Sequence, residues 1–169
     1  PRLAGAEEII QPLAPYSAAK VRGEAERDDY EDARIAHFGT ATKLPESNKP
    51  RPLAQLLNWG LHDLLSKYPE MLVFGEDVGK RGGVYGVTAQ LYEKTSAGRV
   101  FNTLLDEQSI LGMAIGAGQL GFLPVPEIQY LAYYHNAEDQ IRGEASTLQF
   151  FSKGQLRNPM VIRIASWAY

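Results

Sequence analysis

The chain has no cysteine at any of its 169 positions. Disulfides, zinc–thiolate centres and thiol catalysis are therefore excluded. It also lacks long apolar runs: none approaches the roughly 18 residues of a membrane-spanning helix. The first eight residues carry neither the basic start nor the apolar segment of a secretory signal. Neither sign of charge dominates, and a formal net charge of −3 gives no general attraction to nucleic acid or anionic membrane. A cytoplasmic or organelle-matrix setting is expected. What is present, 44% hydrophobic and 22% charged residues, is the balance of a globular protein with a core of its own, and the order of elements from Arg51 predicts the α/β class.

The first fifty residues differ from the rest. Residues 22–34 hold three basic and six acidic side chains, and their net −3 equals the formal charge of the whole chain. Pro12, Pro15, Pro45 and Pro50 surround this segment. Residues 1–50 read as a linker or peripheral arm with one solvated helical stretch. His37 falls in this arm.

From Arg51 the pattern becomes an alternation of elements. Leu53, Leu56, Leu57, Leu61, Leu64, Leu65 and Tyr68 recur at helical spacing behind Pro52, a good first-turn residue. His62 is expected on the outward side of that helix. Residues 71–74 read as a buried strand ended by Gly75, followed by a loop with glycines at 79, 82, 83 and 86 and a helix over 88–94. Further strands are expected at 99–103, 123–128 and 160–165, with Pro124 and Pro126 making demands on the edges of the third. Helices are expected over 106–120 and from Asn136 and Asp139, read as caps, to Phe151. Short apolar strands alternating with helices predict an open, mostly parallel sheet covered on both faces. The chain stops at Tyr169 directly after an apolar strand with no closing helix, so the domain over 51–169 is expected to be truncated at its C-terminus.

Two glycine patterns invite a phosphate-binding reading and fail it. Residues 116–121 match G-x-G-x-x-G, but Pro124 and Pro126 follow where the required helix would begin. Gly112, Gly116 and Gly121 are instead expected to let a helix pack closely, with Gly121 ending it. Residues 75–80 fall one residue short of a phosphate loop, and Arg81 replaces its Ser or Thr.

One constellation survives: Leu105, Glu107, the segment from Glu127 to Tyr133, and His135. In open parallel sheets, ligands sit beyond the carboxyl ends of the strands, where Glu107 and Tyr133 fall. A partly dry carboxylate can hold or relay a proton, and a flat aromatic beside it suits a heteroaromatic ligand. Read from spacing alone, Glu107 is an acid in a helix first turn, where acids are favoured anyway. Glu127 reads equally as a partner of loop amides or of Arg142.

Seven segments in order carry a resemblance: Phe74-Gly-Glu-Asp-Val-Gly79, Arg99-Val-Phe-Asn-Thr103, Glu107-Gln, Gly112-Met-Ala-Ile-Gly116, Pro124-Val-Pro-Glu-Ile-Gln129, Asp139-Gln-Ile141 and Asn158-Pro-Met-Val-Ile-Arg163. Over 51–169 the chain resembles the transketolase-type pyrimidine-binding domain of thiamine-diphosphate enzymes. Within that group it looks most like the beta subunit of the decarboxylating first component of 2-oxo acid dehydrogenases. The resemblance implies oxidative decarboxylation with acyl transfer to lipoyl. It makes Glu107 the hydrogen-bond partner of the aminopyrimidine ring nitrogen, Tyr133 the aromatic stacked on that ring and Leu105 an aliphatic contact. Met160 matches a position whose carbonyl can help hold a monovalent cation; no other metal contact is implied here. The diphosphate and Mg2+ would be held by a separate domain or alpha subunit, in a homo- or hetero-oligomer, with a lipoyl-bearing acyltransferase as a further partner. The segment alone would be inactive.

The sequence departs from the family at two places. Thr103-Leu-Leu-Asp-Glu107 has Leu104 where relatives carry a rigid proline, and Asp106 sets a second acid beside Glu107, expected to face solvent or cap the helix. Tyr134-His135-Asn136 is polar where relatives are mostly apolar or aromatic. His135 reads either as a contact for substrate or lipoyl arm, or as a capping or surface residue. Two other readings stay open: a transketolase-like ketol transferase or related synthase, and a non-catalytic dimerisation domain built on the face of Gly112, Gly116 and Gly121.

Overall fold

The computed structural model describes residues 31–166. Residues 1–30, with most of the charged segment, and the expected C-terminal stop at 167–169 lie outside the described residues. In chain order the elements are α1 (Glu31–Phe38), α2 (Leu53–Lys67), β1 (Met71–Gly75), α3 (Leu91–Lys94), β2 (Val100–Asn102), α4 (Glu107–Gln119), β3 (Leu123–Ile128), α5 (Leu148–Phe151) and β4 (Arg163–Ile164). No described helix is long and apolar enough to cross a membrane.

Side chains of a strand point alternately to its two faces, and β1 shows what that does. Met71 and Val73 join Leu61 and Leu65 of α2, with Val78, Val87, Leu91, Val100 and Val125, in one buried cluster. Phe74 and the partly buried Leu72 join Ile110, Leu111 and Ala114 of α4 in a second cluster on the other face. Phe74, fully buried, also stacks on Phe101 with ring centroids 5.2 Å apart. The sheet is thus covered on both faces. Its four strands run parallel in the order β2-β1-β3-β4, which agrees with the expected α/β class.

Pro124 and Pro126 sit in an inner strand, not an edge strand. The Leu123 amide bonds the Glu70 carbonyl on the β1 side, whereas the Pro124 carbonyl accepts from Val161 on the other. The proline nitrogens share that second side, where β4 pairs only with Glu127 and Ile128. The missing N–H groups therefore cost the sheet no ladder bond.

Helices differ from expectation in instructive ways. Asp106 caps α4, its carboxylate accepting from the Ser109 amide at 3.1 Å. Gly121, at φ +90°, follows its end. The close approach expected at Gly112 and Gly116 is not made among the described residues, since an added Cβ there would meet nothing within 4 Å; Gly118 instead lies against Pro159. The helix expected over 88–94 begins only at Leu91, because Gln90 adopts a left-handed conformation at φ +62°. The single helix expected from Asn136 to Phe151 is a 3-10 turn over Leu131–Ala137, a π-turn over Gln140–Ala145 and the short α5. Neither Asn136 nor Asp139 caps it: Asp139 pairs with Arg142 at 2.8 Å.

α1 lies on the outward side of α2. Arg34 bonds Asp63 of α2 at 2.5 Å and grips both carboxylate oxygens of Glu46 at 3.0 and 2.9 Å. Beside them, His37 Nε2 meets His62 Nδ1 at 2.5 Å. His62 is therefore 5% exposed, contrary to its expected outward position, because the arm covers the face that helix spacing alone leaves open. Burial first, and the neighbouring His37 second, push the His62 imidazole down to about 4 from its ordinary 6.5. His37 is lowered too, by burial and by Lys94 and Arg99, with Asp63 opposing. The folded state thus favours the neutral pair. The resulting stability is whole above pH 6.5 and drains away as pH falls toward about 4. In urea titrations the unfolding free energy of wild type measured relative to His62→Leu should drop by about 3 kcal/mol across that window. His62→Leu should flatten the slope; a variant with an unchanged acid slope would contradict this assignment.

Candidate functional site

The strand ends lie level because Gly75 of β1 is in register with Asn102 of β2 and Glu127 of β3. The chain leaving these three strands therefore emerges along one edge of the sheet, where such folds bind ligands. Glu76 follows β1, the Leu104–Leu105 connection follows β2, and the Leu131–Ala137 turn follows β3.

Glu107 is the first residue of α4 and only 8% exposed. The Asn136 side-chain amide donates to its Oε2 at 3.2 Å. Among the described residues no donor reaches Oε1. Tyr133, one turn before Asn136, packs partly buried against the Phe74 cluster. Its ring meets Tyr130 edge-on at 5.6 Å, and Tyr130 meets Tyr85 in the same way at 6.4 Å. The structure thus brings the turn bearing Tyr133 onto the helix bearing Glu107. Leu105 is different: it is 84% exposed on the approach to α4 and packs against no core residue. Met160 packs, partly buried, against the Phe74 cluster.

Three further acids mark this edge or its surroundings. Glu76 is 5% exposed, and burial, reinforced by Glu107 and Asp77, holds its carboxyl above the usual carboxylate range. Glu127 is fully buried and pairs with Arg163, which the β3–β4 register sets directly opposite. Neither loop amides nor Arg142 is its partner. Burial raises the Glu127 carboxyl, with Arg163 pulling the other way. Glu138 faces His135 at 3.4 Å, both exposed. With Gln108, Asn136, Asp139 and Arg142 these two line a polar cavity of about 380 Å³ beside Glu107.

Residues 51–165 match the family described as the transketolase, pyrimidine binding domain. The chain belongs to this family. It is 37% identical over 127 residues to the 3-methyl-2-oxobutanoate dehydrogenase subunit beta of Mycobacterium tuberculosis, an alignment covering 75% of this chain and 36% of that protein. It is 40% identical over 111 residues to the pyruvate dehydrogenase E1 component subunit beta of Staphylococcus epidermidis, covering 66% and 34%. It is 38% identical over 112 residues to the 2-oxoisovalerate dehydrogenase subunit beta of Pseudomonas aeruginosa, covering 66% and 32%. The chain spans about a third of the length of these relatives.

Reading the sequence missed two groups at this edge of the pyrimidine-binding domain. Glu76 had a usable signal, an acid directly after a buried strand that ends in glycine. Asn136 had none, since its residue type fits a helix cap equally well. Because the folded state favours protonated Glu76, that carboxyl contributes stability at low pH that is lost as pH rises through its raised value. Glu76→Gln, which stays neutral, should raise the thermal midpoint of the cofactor-free protein more at pH 7.5 than at pH 4.5. An equal shift at both pH values would argue against a dry Glu76.

Proposed function

We propose that this domain supplies the pyrimidine-facing half of a thiamine diphosphate site in the first component of a 2-oxo acid dehydrogenase. The observation that carries this is Glu107: nearly buried at a helix start inside the family-matched span, with one oxygen tied and the other open. That donor set suits the cofactor's aminopyrimidine, whose ring nitrogen needs a single oxygen able to accept or give a proton. Tyr133 would lie against the ring and Leu105 would close its apolar side. The exposure of Leu104, at 78%, and of Leu105 fits a surface that another domain covers.

When bound, thiamine diphosphate supplies the nucleophilic carbon and the electron sink for decarboxylation. Glu107 has a narrower task. It would hold the ring nitrogen through its open oxygen, where a proton can pass between them. Tyr133 would fix the ring plane so that this contact keeps its direction. Diphosphate and Mg2+ fall to a separate domain or alpha subunit, so the segment alone would be inactive. A lipoyl-bearing acyltransferase is the partner that takes the acyl product in this reading.

The test uses the complete protein with its partner subunit, assayed with pyruvate and with 3-methyl-2-oxobutanoate. Glu107→Gln should lower carbon dioxide release by at least about 100-fold, the scale of a lost proton-transferring group. Its far-UV circular dichroism should be unchanged. Near-wild-type turnover by that variant would sink the assignment.

A further inference from the structure

We propose that Asn136 is the positioning residue of Glu107: its amide keeps Oε2 as a standing acceptor and so reserves Oε1 for the proton shared with the cofactor ring. The inference rests on the reading of Glu107 given above and adds the residue that aims it.

A carboxyl group in water has two equivalent oxygens, and either can carry the proton. The Asn136 Nδ2 group can only donate, and it donates to Oε2 at 3.2 Å. Placing the proton on Oε2 would set a hydroxyl against that donor and forfeit the bond. Protonation is thereby directed to Oε1, the oxygen without a donor among the described residues.

Asn136 is also placed to act mechanically. It follows Tyr133 by three residues in the Leu131–Ala137 turn, and Ala137 anchors the turn, fully buried, in the Phe74 cluster. One backbone turn thus delivers the aromatic ring and the group that orients the acid. A shift of the turn would move both together.

The neutrality of Asn136 matters because the surroundings are already rich in charge. Glu76 and Asp77 follow β1, and Asp106 precedes Glu107. Glu138 faces His135, and Asp139 pairs with Arg142, along the cavity that Asn136 lines. A cation here would hold Glu107 ionised, and an anion would hold it protonated. An amide orients the carboxyl without adding charge beside it.

The experiment uses the complete protein with its partner subunit. Calorimetry follows thiamine diphosphate affinity with Mg2+ across pH 5.5 to 9, beside steady-state turnover. Asn136→Asp keeps the shape but replaces the donor with a like charge. It should move the pH dependence of cofactor affinity upward by about one unit. Asn136→Ala should weaken cofactor binding roughly tenfold. Added to Glu107→Gln, the same change should have no further effect. Asn136→Gln, which restores a donor, should recover part of the lost affinity.

The roles of Glu107 and Asn136 are separable by these variants. If Glu107→Gln turns over like wild type, the reading of Glu107 falls, whatever Asn136 does. If Glu107→Gln is inactive while Asn136→Asp and Asn136→Ala keep the wild-type affinity and pH profile, only the positioning role is overturned. Equal losses from Asn136→Ala with Glu107 present or replaced would also overturn it, by showing a purely structural contribution. Circular dichroism identifies a variant that fails to fold; should Asn136→Ala do so, the shape-conserving Asn136→Asp decides.

Discussion

The close parallel pairing of β1 with β3 is the constraint on which the rest of the structure depends. At Gly75 the two backbones approach so nearly that an added Cβ would lie 2.5 Å from the Glu127 carbonyl oxygen. Gly75 also adopts φ +156°, which side chains of L-residues rarely allow. Only glycine lets the strands meet in this register. That register levels the ends of β1, β2 and β3, so Glu76, the start of α4 and the Leu131–Ala137 turn converge on one edge. A slip of one residue would also reverse which side chains of β1 face α2 and which face α4.

Around that edge the molecule buries three acids and treats each differently. Glu127 meets a cation, Arg163, across the strand pair. Glu107 meets a neutral amide. Glu76 has no ion pair or side-chain hydrogen bond among the described residues, and burial shifts it toward its protonated form. A buried charge is costly unless paired, so the first arrangement serves the frame of the sheet. The other two are held without a cation: Glu107 is oriented by an amide, and Glu76 is left to burial.

Much of this was legible in the sequence because it depends on local pattern. The β1 and β3 spans followed from apolar runs bounded by glycine or proline, and α4 from its Asp106 cap and closing Gly121. Motif order singled out Glu107 and Tyr133, whose helix and turn lie in contact in the fold. His62 was misplaced because helix spacing describes one helix, whereas α1 buries it from outside. The demands of Pro124 and Pro126 are met on the β4 side of β3, where β4 pairs only with Glu127 and Ile128. The region after Tyr133 read as one helix because Asn136 and Asp139 look like caps. In the fold, Asn136 serves Glu107 and Asp139 serves Arg142.

By itself, the sequence determined the α/β class, the parallel sheet, the family and the acid at the start of α4. Each is written in residues close together in the chain, through periodicity, caps, glycine positions and motif order. Only the tertiary structure decided that Arg163 neutralises Glu127, that His37 seals His62, and that Asn136 takes one oxygen of Glu107 and leaves the other open. Those pairings join residues 25 to 36 positions apart. No local pattern encodes such a partner, because strand register and helix docking choose it.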